Sequence, residues 1–392
     1  MGNKVAVVAQ PDYESPGLDS SLRRAIELAG FDLSAVRGAR VLIKPNMLGA
    51  YPPSMGITSE PALVTAVSRI FSEAGGDVFV GDSPNWMHDI RRVWEVTGLR
   101  EAVRAGGARE LLLEPAGSVT RNGVLISRAV AESDFVINLP RFKTHGLTVM
   151  SLAVKNLFGC VCGMQKSIHH RDSGDRKGFA ELLVRIAEAA RPALTIVDGI
   201  VAMEGEGPSG GELVKMGVLL AGTDVHSLDA ACCRLVGLPP LELDTLSVAQ
   251  RMGLFDNEAR IDFAGDPVDQ LTCREFRLPS TYTRGSRDWW ISRFVMDRIW
   301  NAARVKPFID PELCKRCLLC VGGCPVSAIG EQKGGAAPVV DEKRCIQCFC
   351  CHELCPHKAI ELRRGRAVRL VGWLIGRQTK GHIERMKRGE EG

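Results

Sequence analysis

The first 285 residues alternate between two hydrophobic patterns. Short apolar runs without polar interruption, KVAVVAQ from Lys4, VLIKPN from Val41, DVFVGDSP from Asp77, DFVINLP from Asp134, TIVDGIV from Thr195 and GVLLAGT from Gly217, read as strands. Between them, SLRRAIELAG, EPALVTAVSRIFSEAG, the stretch through Trp94 and Val103, FAELLVRIAEAARPA and SLDAACCRLVG repeat apolar residues every three or four positions, as helices with one buried face do. LLLEP and VLISRAV predict two further strands, and VMSLAVKNLFG a further helix. Strands that do not alternate in polarity are buried on both faces. The pattern therefore predicts an α/β domain over residues 1–285, built on a mostly parallel sheet flanked by helices. The next stretch places Trp290, Ile291, Phe294, Val295 and Ile299 at helical spacing and stops before Pro307, which predicts a connecting helix over 286–306.

The pattern then changes. FIDPELCKRCLLCVGGCPVSAI from Phe308 and VVDEKRCIQCFCCHELCPHKAI from Val339 match at an offset of 31 residues, and each contains C-x2-C-x2-C-x3-C-P. Three thiolates of such a run hold one four-iron cluster and the fourth, beside the proline, reaches the other. This predicts two 4Fe-4S clusters, one on Cys314, Cys317, Cys320 and Cys355, the other on Cys345, Cys348, Cys351 and Cys324, with Cys350 left over. A zinc site needs two pairs around one tetrahedral ion and leaves the third cysteine, the proline and the duplication unexplained. Residues 307–363 resemble the small α+β bacterial ferredoxin, a relay for single electrons.

Composition narrows the setting. A hydrophobic content of 45% with 24% charged residues excludes a disordered chain. Nine of the 14 cysteines lie in residues 314–355 and the others in apolar surroundings, which points to metal in a reducing compartment and to a cytoplasmic protein. The amino terminus lacks the apolar core of a secretion signal, and no run of about 18 apolar residues is present to span a membrane. The tail 364–392 is basic; residues 363–388 hold nine Lys or Arg against Glu384. Its Leu370, Val371, Trp373, Leu374 and Ile375 are expected to pack on the protein; peripheral contact with an anionic membrane or an acidic partner is the alternative. No basic and aromatic motif supports a nucleic-acid partner.

In open α/β sheets ligands bind beyond the carboxyl ends of the strands. The residues expected there are Lys44 and Asn46 after VLI, Asp82 and Ser83 after VFV, Lys143, Thr144 and His145 after VINLP, and Asp198 after TIV. Lys155 and Asn156 follow on the SLAVKNLFG helix. Lysines crowded together or partly buried lose proton affinity, which suits proton transfer, imine formation or anion binding. Lys143, His145, Lys155 and Asn156 are the candidate catalytic residues. Lys44, Asn46, Asp82, Ser83, Asp198 and Gly207 are the candidate cofactor-binding residues. The loop EGEGPSGG, which contains Gly207, lacks the ending of a P-loop and is either an anion cradle or a mobile turn. His169 and His170 read as surface residues of a polar loop. Cys160 and Cys162 read as small buried thiols, with a soft-metal role as the alternative. Cys232 and Cys233 read as core, and Cys273 has no evident partner.

The order Ile-Lys-Pro-Asn at 43–46, Gly-Asp-Ser-Pro at 81–84, Lys-Thr-His at 143–145, Lys-Asn at 155–156, a histidine near 169, Asp-Gly at 198–199 and Gly-Pro at 207–208 resembles a family of iron-sulfur proteins in which a domain of unknown function precedes a two-cluster ferredoxin. The resemblance implies an anaerobic or microaerobic cytoplasmic redox protein. A more distant similarity links the Lys-Pro-Asn region to the lactate racemase domain. The function expected is an oxidoreductase passing single electrons from the clusters to a small-molecule substrate, or to an unidentified organic cofactor, in the α/β domain. The alternatives are a non-enzymatic electron-transfer adaptor for a redox partner protein and a metal or cofactor maturation factor.

Overall fold

The structure, a computed structural model, describes residues 3–14, 17–273, 275–282 and 305–364. Its strands, in chain order, are β1 (Asn3–Ala9), β2 (Arg40–Lys44), β3 (Asp77–Val80), β4 (Arg109–Glu110), β5 (Ser118–Arg121), β6 (Val124–Ser127), β7 (Phe135–Asn138), β8 (Arg141–His145), β9 (Val149–Ser151), β10 (Leu194–Glu204), β11 (Glu212–Gly222) and β12 (Ile261–Gly265). Ten of these form one sheet in the order β12-β1-β11-β10-β7-β2-β3-β4, with β8 pairing to β10 and β9 to β8. Its pairings are mostly parallel; β11 runs antiparallel to both β1 and β10, and β9 antiparallel to β8.

Alternation within single strands shows why both faces are covered. Val5 and Val7 of β1 and Leu42 of β2 face one core, together with the helices Arg176–Ala190 and Val225–Leu235. Ala6 and Val8, with Val41 and Ile43, face the other, under the helices Leu18–Leu28 and Pro61–Glu73. Leu63, Val64, Val67, Ile70 and Phe71 of the last helix are fully buried, each burial contributing roughly 1.5–3 kcal/mol of hydrophobic free energy.

Several expected elements differ. LLLEP is not a strand; β4 stops at Glu110 and the chain turns away. VLISRAV supplies β6 of a separate hairpin with β5, then a short helix from Arg128. The expected helix over VMSLAVKNLFG is instead β9, one helical turn at Ala153–Asn156 and a 3-10 turn. The segment RFKTH, expected as a loop, is β8. It is buried throughout, so its polar side chains were mistaken for loop chemistry. Asp198 and Gly199 lie inside β10 at a register shift rather than beyond its end.

After the large domain, β13 (Val305–Ile309) pairs with β16 (Ile360–Arg364), and β14 (Ile329–Gly330) with β15 (Val339–Val340). Val305 and Lys306 thus begin a strand rather than end the connecting helix. The helical stripe expected from Trp290 to Ile299, and the tail beyond Arg364, lie outside the described residues. No helix among the described residues is long and apolar enough to cross a membrane.

Candidate active site beneath the ferredoxin module

The two cysteine loops are built alike. Arg316, Leu318 and Ser327 in the first, and Gln347, Phe349 and Lys358 in the second, take left-handed backbone conformations at equivalent places. Asp310 N donates to Ala359 O at 2.8 Å and Asp341 N to Ala328 O at 2.7 Å. Ala328 N donates to Cys324 Sγ at 3.1 Å and Ala359 N to Cys355 Sγ at 3.3 Å, the outer bonds expected of cluster thiolates. Cys314, Cys317, Cys320 and Cys355 together line a small pocket whose other walls include Ile309, Pro338 and Ile360. Burial, and then the neighbouring Cys348, Cys345, Cys320 and Cys324, raise the Cys351 thiol. All 14 cysteines are free. Four thiols lining one pocket have the chemistry that iron-sulfur clusters require.

In the large domain, the end of β2 delivers Lys44 into full burial. Its Nζ lies 2.9 Å from Asp82 Oδ1 and donates to Pro45 O at 2.7 Å. Asp82 also accepts from Met47 N and Ser83 N, so its carboxylate is saturated. A Cβ on Gly159 would stand 1.9 Å from Asp82 Oδ1 and 2.6 Å from Lys44 Nζ; only glycine permits this approach. Asn46 Nδ2 donates to Asn156 Oδ1 at 3.0 Å, and Asn156 Nδ2 to Asn138 Oδ1 at 2.8 Å, joining β2, β7 and the turn Ala153–Asn156. That turn has no cap of its own. Asp229, from the helix Val225–Leu235, supplies one by accepting from Ala153 N at 2.7 Å and Val154 N at 3.3 Å. Burial pushes the Asp229 carboxyl up to about 7.

Lys143 on β8 is buried and donates to Ile57 O at 2.7 Å. Burial, with the nearby charge of Lys155, pushes it down to about 7. Lys155 is partly buried, its Nζ 5.0 Å from the Phe158 ring centroid and 6.0 Å from that of Phe179. Burial lowers its proton affinity, and Glu353 opposes the change. His145 Nδ1 accepts from Leu147 N at 3.0 Å, which leaves the ring proton on Nε2. Nε2 lies 3.0 Å from Glu353 Oε1, yet neither atom has a hydrogen-bond partner. The two buried groups face each other without an aligned bond.

Glu353 belongs to the ferredoxin module, on the short helix Cys350–Leu354. His145, Lys155 and His170 keep its carboxylate well below the usual range despite burial. Tyr51, also buried, donates its hydroxyl to Glu353 O at 2.9 Å. Next to it, His352 Nδ1 lies 2.7 Å from Ile360 O and Nε2 3.0 Å from Glu206 O, while Ser209 Oγ donates to His352 O at 3.2 Å. The loop EGEGPSGG is therefore neither a free turn nor an anion cradle in this structure. It is the seat of the ferredoxin module. Gly207 N donates to Thr144 Oγ1 and Gly207 O accepts from Gly146 N, placing Gly207 against β8.

The other expected residues divide. Ser83 Oγ, bonded to Glu114, accepts from Lys166 Nζ at 2.9 Å. Lys166 also donates to Ser83 O and Pro84 O, and burial brings it down to about 8. Asp198 is fully buried, accepts from Tyr13 OH at 2.6 Å and lies 3.9 Å from Arg141 Nη1, in a separate ionic cluster inside the sheet. His169 and His170 lie on a helix, Gln165–Asp172, not a loop. His170 stacks on Phe179 at 4.4 Å, and burial pushes it down to about 3. Burial raises the Cys160 thiol to about 12 and that of Cys162 as well, which leaves neither prone to ionise. Cys232 and Cys233 are core, as expected.

Sequence reasoning missed Glu353, Tyr51, Lys166, Arg141 and Asp229. For Glu353 a signal existed. Where the second loop has His352-Glu353-Leu354, the first has Val321-Gly322-Gly323, a departure from duplication that calls for an external reason.

Residues 41–234 match the domain of unknown function DUF362, and residues 306–356 match the 4Fe-4S dicluster domain. A thylakoid-associated protein of Synechocystis sp. is 35% identical over 287 residues, covering 71% of this chain and 88% of that protein. The lactate racemase apoprotein of Thermoanaerobacterium thermosaccharolyticum superimposes with a TM-score of 0.37 at 13% identity, over 60% of this chain and 57% of its own. A likeness that slight assigns neither activity nor residues. The chain belongs to the DUF362 family, and its carboxyl-terminal module is of the iron-sulfur electron-transfer type.

Proposed function

We propose that this DUF362 protein is an oxidoreductase with two 4Fe-4S clusters, in which a small-molecule substrate, or an organic cofactor, is bound by Lys143, His145 and Lys155. The observation that carries this reading is the position of Glu353. It stands two residues from both Cys351 and Cys355, yet its carboxylate lies among the cations of the large domain. Clusters on the two thiol sets would supply single electrons. Lys155 and His145 attract an anionic group. Lys143, with a pKa near 7, holds or releases a proton there at neutral pH. Lys44 and the Asn46–Asn156–Asn138 chain set the position of the floor. Housing both modules in one chain makes electron delivery intramolecular. The free thiols suit a reducing, oxygen-poor cytoplasm.

One observation favours the alternative of an electron-transfer adaptor: Glu353 already fills the site. The two readings part in one experiment. Protein purified without oxygen is reduced, followed by electron paramagnetic resonance, and its extracted small molecules are identified by mass spectrometry. A bound organic molecule, or cluster reoxidation by a substrate that fails in Lys143→Ala with Lys155→Ala, supports the enzyme. If the double variant reduces a partner protein as the parent does and no small molecule is found, the adaptor stands.

A further inference from the structure

The contact between Glu353 and the lysine site has two unusual properties. It is made by a carboxylate that stands where the first cysteine loop has Gly322, and it leaves both facing atoms, His145 Nε2 and Glu353 Oε1, without a hydrogen bond although His145 is almost wholly buried. A permanent structural ion pair would be expected to satisfy its donor, because an orphaned buried N–H costs about 1–3 kcal/mol. Lys143, by contrast, is anchored on Ile57 O and Lys44 on Pro45 O. These form a rigid wall, whereas His145 Nε2 points at the newcomer without closing on it. Glu353 Oε1 lies as an oxygen of an incoming ligand would, carried in by the short helix Cys350–Leu354, while the large domain's Tyr51 bonds only the backbone carbonyl of Glu353.

We infer that the Lys143–His145–Lys155 site recognises a small-molecule carboxylate, and that Glu353 occupies the carboxylate position as a built-in competitor that must be displaced for the substrate to bind. The inference rests on the proposed enzymatic reading for its purpose but not for its test, since binding is measured without turnover. The substrate class follows from the occupant. A planar, singly charged group is accommodated beside a histidine N–H and two ammonium groups, with Phe158 and Phe179 as apolar walls behind Lys155. Displacement of Glu353 would draw on differential binding, as any population shift must.

The test uses the full chain with its clusters and acetate as the probe, followed by calorimetric titration. Acetate is expected to bind Glu353→Ala about tenfold or more tightly than the parent, since the internal competitor is gone. It should also raise the thermal midpoint of the variant and not that of the parent. Adding His145→Ala should abolish the gain. If Glu353→Ala is recovered only when acetate is present during cluster reconstitution, that rescue counts as binding; Glu353→Gln, equal in size and uncharged, should then also bind acetate more tightly than the parent. Equal acetate affinity in the parent and both variants overturns the inference, as does tighter binding of inorganic phosphate than of acetate. An inactive Lys143→Ala, Lys155→Ala double variant with acetate binding unchanged in Glu353→Ala would leave the redox reading intact and sink this one.

Discussion

The two halves of the ferredoxin module have the same backbone and different surroundings. In the first, Val321-Gly322-Gly323 follows the third cysteine; Gly322 is exposed, and Cys317 is the exposed cysteine of its loop. In the second, His352-Glu353-Leu354 stands at the same three positions and is packed into the large domain on Glu206, His145 and Tyr51. The cluster-binding frame tolerates both. Duplication therefore preserves what holds metal, while the positions between the ligands are free to specify what the metal serves. The first half presents Cys317 to the outside, and the second presents a carboxylate to a buried lysine site.

The comparison can be broken most severely at its common part. Cys345→Ser should lower the iron content of anaerobically reconstituted protein from roughly eight to about four per chain, and Cys314→Ser should do the same, because each removes a ligand from a different set. Iron and sulfide analysis checks this; a variant that keeps full iron would show the crossed assignment to be wrong. A reciprocal exchange sharpens the difference between the halves. Glu353→Gly should lower stability by about 3 kcal/mol, since breaking one side of a buried pair leaves the facing charges uncompensated. Gly322→Glu should change it by less than about 1 kcal/mol, as a Cβ there meets the flexible tip of Met87 at an exposed position. Equal effects in denaturant unfolding would mean that the second half is not the one that docks.

The smallest expected effect concerns pH. Lys143 has a folded pKa near 7 against an ordinary 10.5, so between those values the folded chain binds fewer protons than the unfolded chain. Stability accordingly rises with pH through that interval and is lost as pH falls toward 7. Lys143→Met should flatten the rise by at most about 1 kcal/mol per pH unit, measured as the unfolding midpoint between pH 7 and 9. An unchanged slope would place Lys143 in a wetter setting than β8 provides, and with it weaken the contrast between a buried site and an exposed first half.

Particular residues show where sequence reading stops. The iron-sulfur module was legible because a cluster loop is local: the duplicated cysteine spacing and the proline after it mark the module within a few dozen residues. The strands at Val5, Val41, Val78 and Val136 were legible for a similar reason, as continuous apolar runs can only be buried. Lys44, Lys143 and His145 stand out as polar residues after apolar runs, and Lys155 as a lysine within an apolar helical stretch. Yet β8 was read as a loop, because polar side chains inside a buried strand imitate a rim. Asp198 looked like Asp82 in sequence; a register shift in β10 put it in a different ionic cluster beside Tyr13 and Arg141.

By itself, then, the sequence determined the α/β class and the presence of an iron-sulfur module, both of which depend on periodicity or spacing over a few dozen residues. Only the tertiary structure decided that Glu353 meets His145 across more than two hundred residues, that Asp229 caps the turn carrying Lys155, and that EGEGPSGG seats the second cysteine loop. Such contacts are set by how whole elements pack. Their energy comes from desolvation and charge at points that no local pattern marks, so they become visible only when the chain is folded.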